Sequence, residues 1–110
     1  RSTRHMFNLK TLSLCKSGVK LVNVGRGPLI DERALICGLD RGIIEAAALD
    51  VFEVEPPNLE NPLLKNNKVF LSPHTAAFTE ECMTRMGIET VQNIIDFFDG
   101  KLEESKKIKL

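Results

Sequence analysis

The sequence predicts an α/β fold, with three parallel strands and flanking helices that form part of a doubly wound sheet. Three observations predict it. Short apolar runs alternate with longer segments whose apolar residues recur at helical spacing. One run, Ala46-Ala47-Ala48-Leu49, is nearly continuous and suits a strand covered on both faces, as a parallel sheet requires. Glycine, proline and asparagine punctuate the chain between these segments. Strands that alternate with helices imply right-handed crossovers.

Each element has its own signal. Asn8 can cap a short helix running through Lys16, with Gly18 suited to its C-terminal end. Residues 19–24 are rich in β-branched valine and bounded by glycines, which predicts a strand. Residues 26–30 form a loop. Asp31 then caps a helix through Arg41, and Gly42 stops it. Residues 43–51 predict the second strand, although their alanines leave a helix open by propensity alone. Pro56, Pro57, Asn58 and Pro62 mark 53–67 as a loop, and 68–72 is a third short strand ended by Pro73. Thr79 caps the longest helix, with Glu80 and Glu81 in its first turn, where the helix dipole favours acids. Met83, Gly87, Val91, Ile94, Ile95 and Phe98 share one apolar face of it, and Gly100 closes it.

Residues 1–100, including the helix over 79–100, therefore read as one unit. Residues 101–110 read as a polar tail whose Lys106, Lys107 and Lys109 are solvated. Three parallel strands are few for a doubly wound domain, so the chain reads as half of a larger one.

Composition excludes several classes of function. The chain has 110 residues, with 15 Lys+Arg against 15 Asp+Glu. That balance gives no electrostatic case for nucleic acid or an anionic membrane. No apolar run approaches the ~20 residues of a membrane helix. The polar start, Arg1-Ser2-Thr3-Arg4-His5, does not read as a signal peptide. Cys15, Cys37 and Cys82 are odd in number and form no CxxC pair. They predict unpaired thiols in a reducing compartment, the cytoplasm, and no metal site.

The chemistry gathers at one edge of the predicted sheet. Arg26 follows the first strand, Glu55 the second and His74 the third. In open α/β sheets ligands bind beyond the carboxyl ends of the strands. An arginine can hold a carboxylate through two parallel hydrogen bonds and polarise an adjacent carbonyl. Histidine is the usual proton donor or acceptor near neutral pH, and a neighbouring carboxylate favours its charged form. Together the three residues suit reduction of a 2-oxo acid. Glu53, also in the second loop, reads as a solvated charge. Taken singly, each signal also has a plain structural reading as a turn, a cap or a surface residue.

Longer motifs carry a resemblance. Val22-Asn23-Val24-Gly25-Arg26-Gly27-Pro28-Leu29-Ile30-Asp31 resembles the VNxxRGxxxD signature of the D-isomer-specific 2-hydroxyacid dehydrogenases. Ala47-Ala48-Leu49-Asp50-Val51-Phe52-Glu53-Val54-Glu55-Pro56 is similar to that family's GAxLDVFxxEP segment, and Leu71-Ser72-Pro73-His74-Thr75-Ala76 to its LTPHxA segment. The opening 2–8 and Asn61-Pro62-Leu63-Leu64 fit the same pattern. The resemblance runs from about Ser2 to Gly100. It implies the C-terminal half of a Rossmann-like nucleotide-binding domain.

Residue by residue, it implies that Arg26 is the catalytic arginine on the substrate carboxylate and carbonyl. It implies that His74 is the acid/base and Glu55 the glutamate that pairs with it. Asp50 matches the aspartate that contacts the nicotinamide carboxamide, and Val24, Gly25, Arg26, His74 and Ala76 would lie around the nicotinamide end. The implied cofactor is NAD, with NADP left open, and the implied partner is a small 2-oxo or 2-hydroxy acid. Gly27 would serve the turn, and Asp31 reads as a helix cap.

Two departures stand out. The family usually has a glycine near Glu45 or Ala46, so a local packing change is expected there. No GxGxxG occurs in the chain, so the pyrophosphate contacts are expected outside it. The chain alone is expected to be inactive, and its first strand, left without one neighbour, is expected to pair with the missing half or in a homodimer. A corepressor-like NAD-sensing protein of the same fold is the alternative function. A purely structural piece is a third reading. Formate dehydrogenases rank lower, because they usually carry glutamine at the position of Glu55.

Overall fold

The computed structural model describes residues 3–108. Arg1, Ser2, Lys109 and Leu110 lie outside the described residues, so the first residues of the polar start and the last lysine of the tail do too. The chain divides into two compact units, Arg1–Ala76 and Ala77–Leu110.

In the first unit, α1 (Leu9–Leu12) leads into β1 (Val19–Asn23), a 3-10 turn (Gly27–Leu29) and α2 (Glu32–Asp40). β2 (Ile44–Leu49), a second 3-10 turn (Pro62–Lys65) and β3 (Val69–Leu71) follow. The strands form a three-stranded sheet in the order β1-β2-β3, and both pairings are parallel. The expected α/β fold is therefore present.

The caps act where the sequence places them. Asn8 accepts from the backbone of Lys10 and Thr11, while Thr11 Oγ1 accepts in return from the Asn8 amide. Asp31 accepts from Arg33 and Ala34 at the start of α2, and Gly42 beyond its end has φ +70°. β2 is shorter than the expected 43–51, and α1 departs most from its expected length. α1 stops at Leu12 instead of reaching Lys16. Ser13 Oγ donates to the Lys10 carbonyl and Cys15 Sγ to that of Thr11, and such local side-chain bonds compete with the helical ladder.

The core lies between one face of the sheet and the helices α1 and α2. Leu12, Leu35, Leu39, Ile44, Ala47 and Leu63 are all but fully buried in it. The sheet's other face is not covered within this unit, and Val22 and Phe70 on it are exposed. Ala46 and Ala48 are accordingly half-buried, not sealed on both faces as the apolar run suggests. A register irregularity passes over Glu45, so that Val19 pairs with Ile44 and Lys20 with Ala46. Ile44 and Ala47 thereby both turn inward.

The second unit is α3 (Glu80–Phe98) followed by a 3-10 turn (Glu104–Lys106). Thr79 Oγ1 caps α3 by accepting from Cys82 N, and Gly100 has φ +69°. The apolar stripe is present, but no residue of α3 is buried; Val91, Ile94 and Phe98 stay exposed. No helix among the described residues is long and apolar enough to cross a membrane.

Stability should therefore rest on the first unit. Leu35→Ala, at a site with 0% exposure, is expected to cost about 2–5 kcal/mol in urea unfolding. Leu14→Ala, at an 80% exposed site, should stay within about 0.5 kcal/mol of the parent.

Candidate active site

Parallel register assembles the site. Asn23 pairs with Leu49, and Leu49 with Leu71, so the last residues of the three strands stand abreast. The loops that follow, with Arg26, Asp50 to Glu55 and Ser72 to Ala76, all leave from that edge.

Asp50 ties two of these loops together. Its side chain is nearly buried, at 4% exposure. Oδ1 accepts from Ser72 Oγ at 2.5 Å and from Thr75 N at 2.8 Å, and Oδ2 accepts from Ala76 N at 2.9 Å. The Ser72 hydroxyl above all, and then the Ala76 and Thr75 amides and nearby His74, hold its carboxyl below the ordinary value, against burial that pushes it up. An ionised carboxylate has about four acceptor positions. Three bonds leave room for one more donor.

His74 sits inside the loop that Asp50 grips. Its backbone is left-handed, with φ +56°, a region where histidine is enriched among non-glycine residues. Its Nδ1 lies 2.7 Å from Glu55 Oε2. The other oxygen, Glu55 Oε1, accepts from Phe52 N at 3.0 Å. These bonds, the one from His74 first, lower the Glu55 pKa from its ordinary value, and the Arg26 charge adds to the effect. An ionised Glu55 can only accept, so the proton of the shared bond belongs to Nδ1. Nε2 is left uncommitted.

Arg26 is exposed, and its Nη1 donates to the Gly25 carbonyl at 2.7 Å. Its charge reaches Glu55, but it forms no ion pair among the described residues. The structure thus brings His74 and Glu55 into contact and places Arg26 within their electrostatic reach. Val24 and Gly25 are exposed at the same edge, and Ala76 contributes its amide to Asp50.

Two hollows flank these groups. One, of about 400 Å³, is lined by Phe52, Glu55, Leu64, Leu71 and His74 among others. A shallower one of about 220 Å³ lies over Val24, Ala48, Asp50, Phe70 and Ser72. No group of three or more metal-ligating side chains is found among the described residues.

Several working residues escape a reading of the sequence. Asn23 is 5% exposed; its Oδ1 accepts from Gly25 N and its Nδ2 donates to the Arg26 carbonyl, which shapes the turn that presents Arg26. Its place two residues after inward-facing Leu21 is the signal that could have found it. Gly27 serves more than the turn. A methyl carbon there would stand 1.7 Å from the Phe52 carbonyl oxygen, so only glycine lets the Arg26 loop meet the Glu55 loop. Glu53 is not solvated, contrary to expectation. It pairs with His5, and its amide donates to Glu32 Oε1 at 2.7 Å.

With this geometry in view, the comparisons are specific. The family model for the D-isomer specific 2-hydroxyacid dehydrogenase, NAD binding domain, matches residues 1–76. The chain belongs to this family. Glyoxylate/hydroxypyruvate reductase B of Salmonella newport (strain SL254) is 43% identical over 103 residues, covering 94% of this chain and 32% of that protein. A D-isomer specific 2-hydroxyacid dehydrogenase from Xanthobacter autotrophicus Py2, solved with NADPH and MES, matches at 38% identity and TM-score 0.80 over 91% of this chain and 40% of its own. D-lactate dehydrogenase from Aquifex aeolicus, solved with NAD and lactic acid, matches at 33% identity and TM-score 0.78 over 92% of this chain and 35% of its own. The chain spans about a third of the length of the curated relatives it matches. The corepressor-like alternative finds no support among these dehydrogenases and reductases.

Two outcomes test the tethers. Gly27→Ala should cost about 1–3 kcal/mol or more in urea unfolding, because the Phe52 backbone must move. Asp50→Asn should lower the melting temperature at neutral pH. Asp50 has a lowered folded pKa, so its contribution is complete above its ordinary value of 3.8 and is lost as pH falls below that through the folded value. The gap between parent and variant melting curves should therefore close only below about pH 3.8.

Proposed function

We propose that the protein containing this chain transfers hydride between NAD(H) and a D-2-hydroxy acid/2-oxo acid pair. The observation that carries this reading is the His74–Glu55 pair at 2.7 Å, with His74 Nε2 free and the Arg26 charge close by. Family membership and the reductase and dehydrogenase relatives support it.

The residues present fit the nicotinamide end of the cofactor. The shallow hollow is lined by the apolar side chains of Val24, Ala48 and Phe70, and Asp50, which also lines it, retains an acceptor position for a carboxamide N–H₂. Gly25 follows Val24 of its lining, and Ala76 donates its amide to Asp50. When bound there, NADH would supply the hydride that the carbonyl carbon accepts. Arg26 holds the substrate carboxylate with its guanidinium fork and polarises the carbonyl oxygen. His74 Nε2 gives its proton to that oxygen as the carbonyl becomes an alcohol, and takes it back in the reverse direction. Glu55 fixes the ring and stabilises the charged imidazolium. NAD is the first choice, and NADPH remains open on the same residues.

The remaining assignments belong to the same proposal. Residues 1–100 act as the C-terminal half of the nucleotide-binding domain, with 101–110 as a tail. The outer edge of β1 takes a further strand from a longer chain or a second copy. Three free thiols support a reducing compartment, the cytoplasm.

The test is NADH oxidation by the full-length protein with glyoxylate, hydroxypyruvate and pyruvate. His74→Ala should lower kcat on the order of 10²–10⁴-fold. Arg26→Gln should raise KM for the oxo acid far more than for NADH. No turnover by the parent protein with any of the three acids, or full activity of His74→Ala, would sink the reading.

A further inference from the structure

The loops that carry Arg26 and Glu55 touch at Gly27 and Phe52, yet among the described residues no hydrogen bond joins 26–30 directly to 52–55. Packing alone would let them slide. One residue is bonded to both. The His5 amide donates to the Pro28 carbonyl at 2.8 Å, and the His5 imidazole Nε2 pairs with Glu53 Oε1. We propose that His5 is a positioning residue, a clasp that sets Arg26 against the Glu55–His74 pair.

Both ends of the clasp are anchored. On the Arg26 side, 5–7 runs alongside 28–31. Phe7 N donates to the Leu29 carbonyl, Asp31 N donates to the Phe7 carbonyl, and Phe7 bridges Ile30 in parallel. The His5 backbone is left-handed, at φ +50°, and Asn8 Nδ2 donates to the His5 carbonyl at 2.8 Å. That fixed turn aims the ring across at the second loop. On the Glu55 side, Glu53 N donates to Glu32 Oε1, and Glu32 Oε2 accepts from Asn61 Nδ2 at 2.8 Å. Glu53 is thus locked to α2 through its backbone and to His5 through its carboxylate. His5 and Glu53 side chains are 34% and 25% exposed, so water screens the pair only in part.

The consequence rests on the proposed 2-oxo acid reduction. The carboxylate and the carbonyl of such a substrate sit on adjacent carbons. Arg26 and His74 Nε2 must therefore keep one spacing to engage both, and small errors there cost rate or affinity steeply. His5 controls that spacing without touching substrate, so its loss should weaken oxo-acid binding and leave the nicotinamide hollow alone.

The experiment uses the full-length protein with His5→Asn, Glu53→Ala and the double variant. Asparagine tolerates the left-handed backbone but is too short to reach Glu53, so it removes the bridge without straining the turn. Urea unfolding of the three variants should show coupling, with the double variant no worse than the more damaged single one. KM for the best oxo acid should rise on the order of tenfold in His5→Asn, with the dissociation constant for NADH unchanged. Additive unfolding energies would overturn the clasp. Coupled unfolding with an unchanged KM would overturn its positioning role and leave a structural pair. If the parent protein reduces no oxo acid, the unfolding cycle still decides whether the clasp exists, and only the reading of the reaction falls.

Discussion

The nearly buried carboxylate of Asp50 is the constraint on which the site depends. A charge withdrawn from water must be met by donors, or it gives up its ionisation. Here the donors are supplied by the loop after β3: the Ser72 hydroxyl and the Thr75 and Ala76 amides. Those three groups bracket His74, so satisfying Asp50 curls the loop around the histidine. The left-handed backbone at His74 follows as part of that curl, and it turns the ring toward Glu55. One electrostatic requirement in β2 therefore sets the orientation of a side chain that follows β3.

A second constraint is steric. Gly27 lets the Arg26 loop press against the Phe52 carbonyl, and Asn23 closes the Arg26 turn from inside. Glu55 then folds back on the Phe52 amide. The peptide at Phe52 thus meets the arginine loop on its carbonyl and Glu55 on its amide. A shift of that peptide would move both partners together. Steric contact sets how near they come, and the His5–Glu53 pair resists sliding along that contact.

Legibility in the sequence followed the range of the interaction. The caps at Asn8, Asp31 and Thr79 bond to amides two or three residues away, so local spacing disclosed them. The strands were legible from apolar runs, and the edge that gathers Arg26, Glu55 and His74 followed from parallel order. What escaped was non-local. Glu53 looked like a solvated loop charge because its partner His5 lies 48 residues away. Asp50 was read toward a cofactor, and nothing local disclosed that donors at Ser72, Thr75 and Ala76 would claim most of its lone pairs. The end of α1 was missed for the opposite reason: hydroxyl and thiol groups too close by captured the carbonyls that the next turn needed. The stripe on α3 was legible as a stripe, but periodicity says only that a face is apolar, not what covers it.

Every bond that aims His74, Glu55 or Arg26 lies within residues 3–76, as does the buried core. The helix α3 buries none of its side chains. In the proposed reaction, proton transfer and carboxylate recognition would thus draw on one cohesive unit, while the pyrophosphate of a dinucleotide would call for a glycine loop, and no GxGxxG occurs in these 110 residues. That division has a physical logic. A proton donor and a carboxylate clamp must hold sub-ångström geometry, which short tethers to a packed core provide. A dinucleotide is long enough to be gripped elsewhere and still deliver its nicotinamide to the edge where the proposal places it, beside Val24, Asp50 and Ala76. In that reading the geometry that must be tight rests on residues 3–76, and the grip on the dinucleotide can be remote from it.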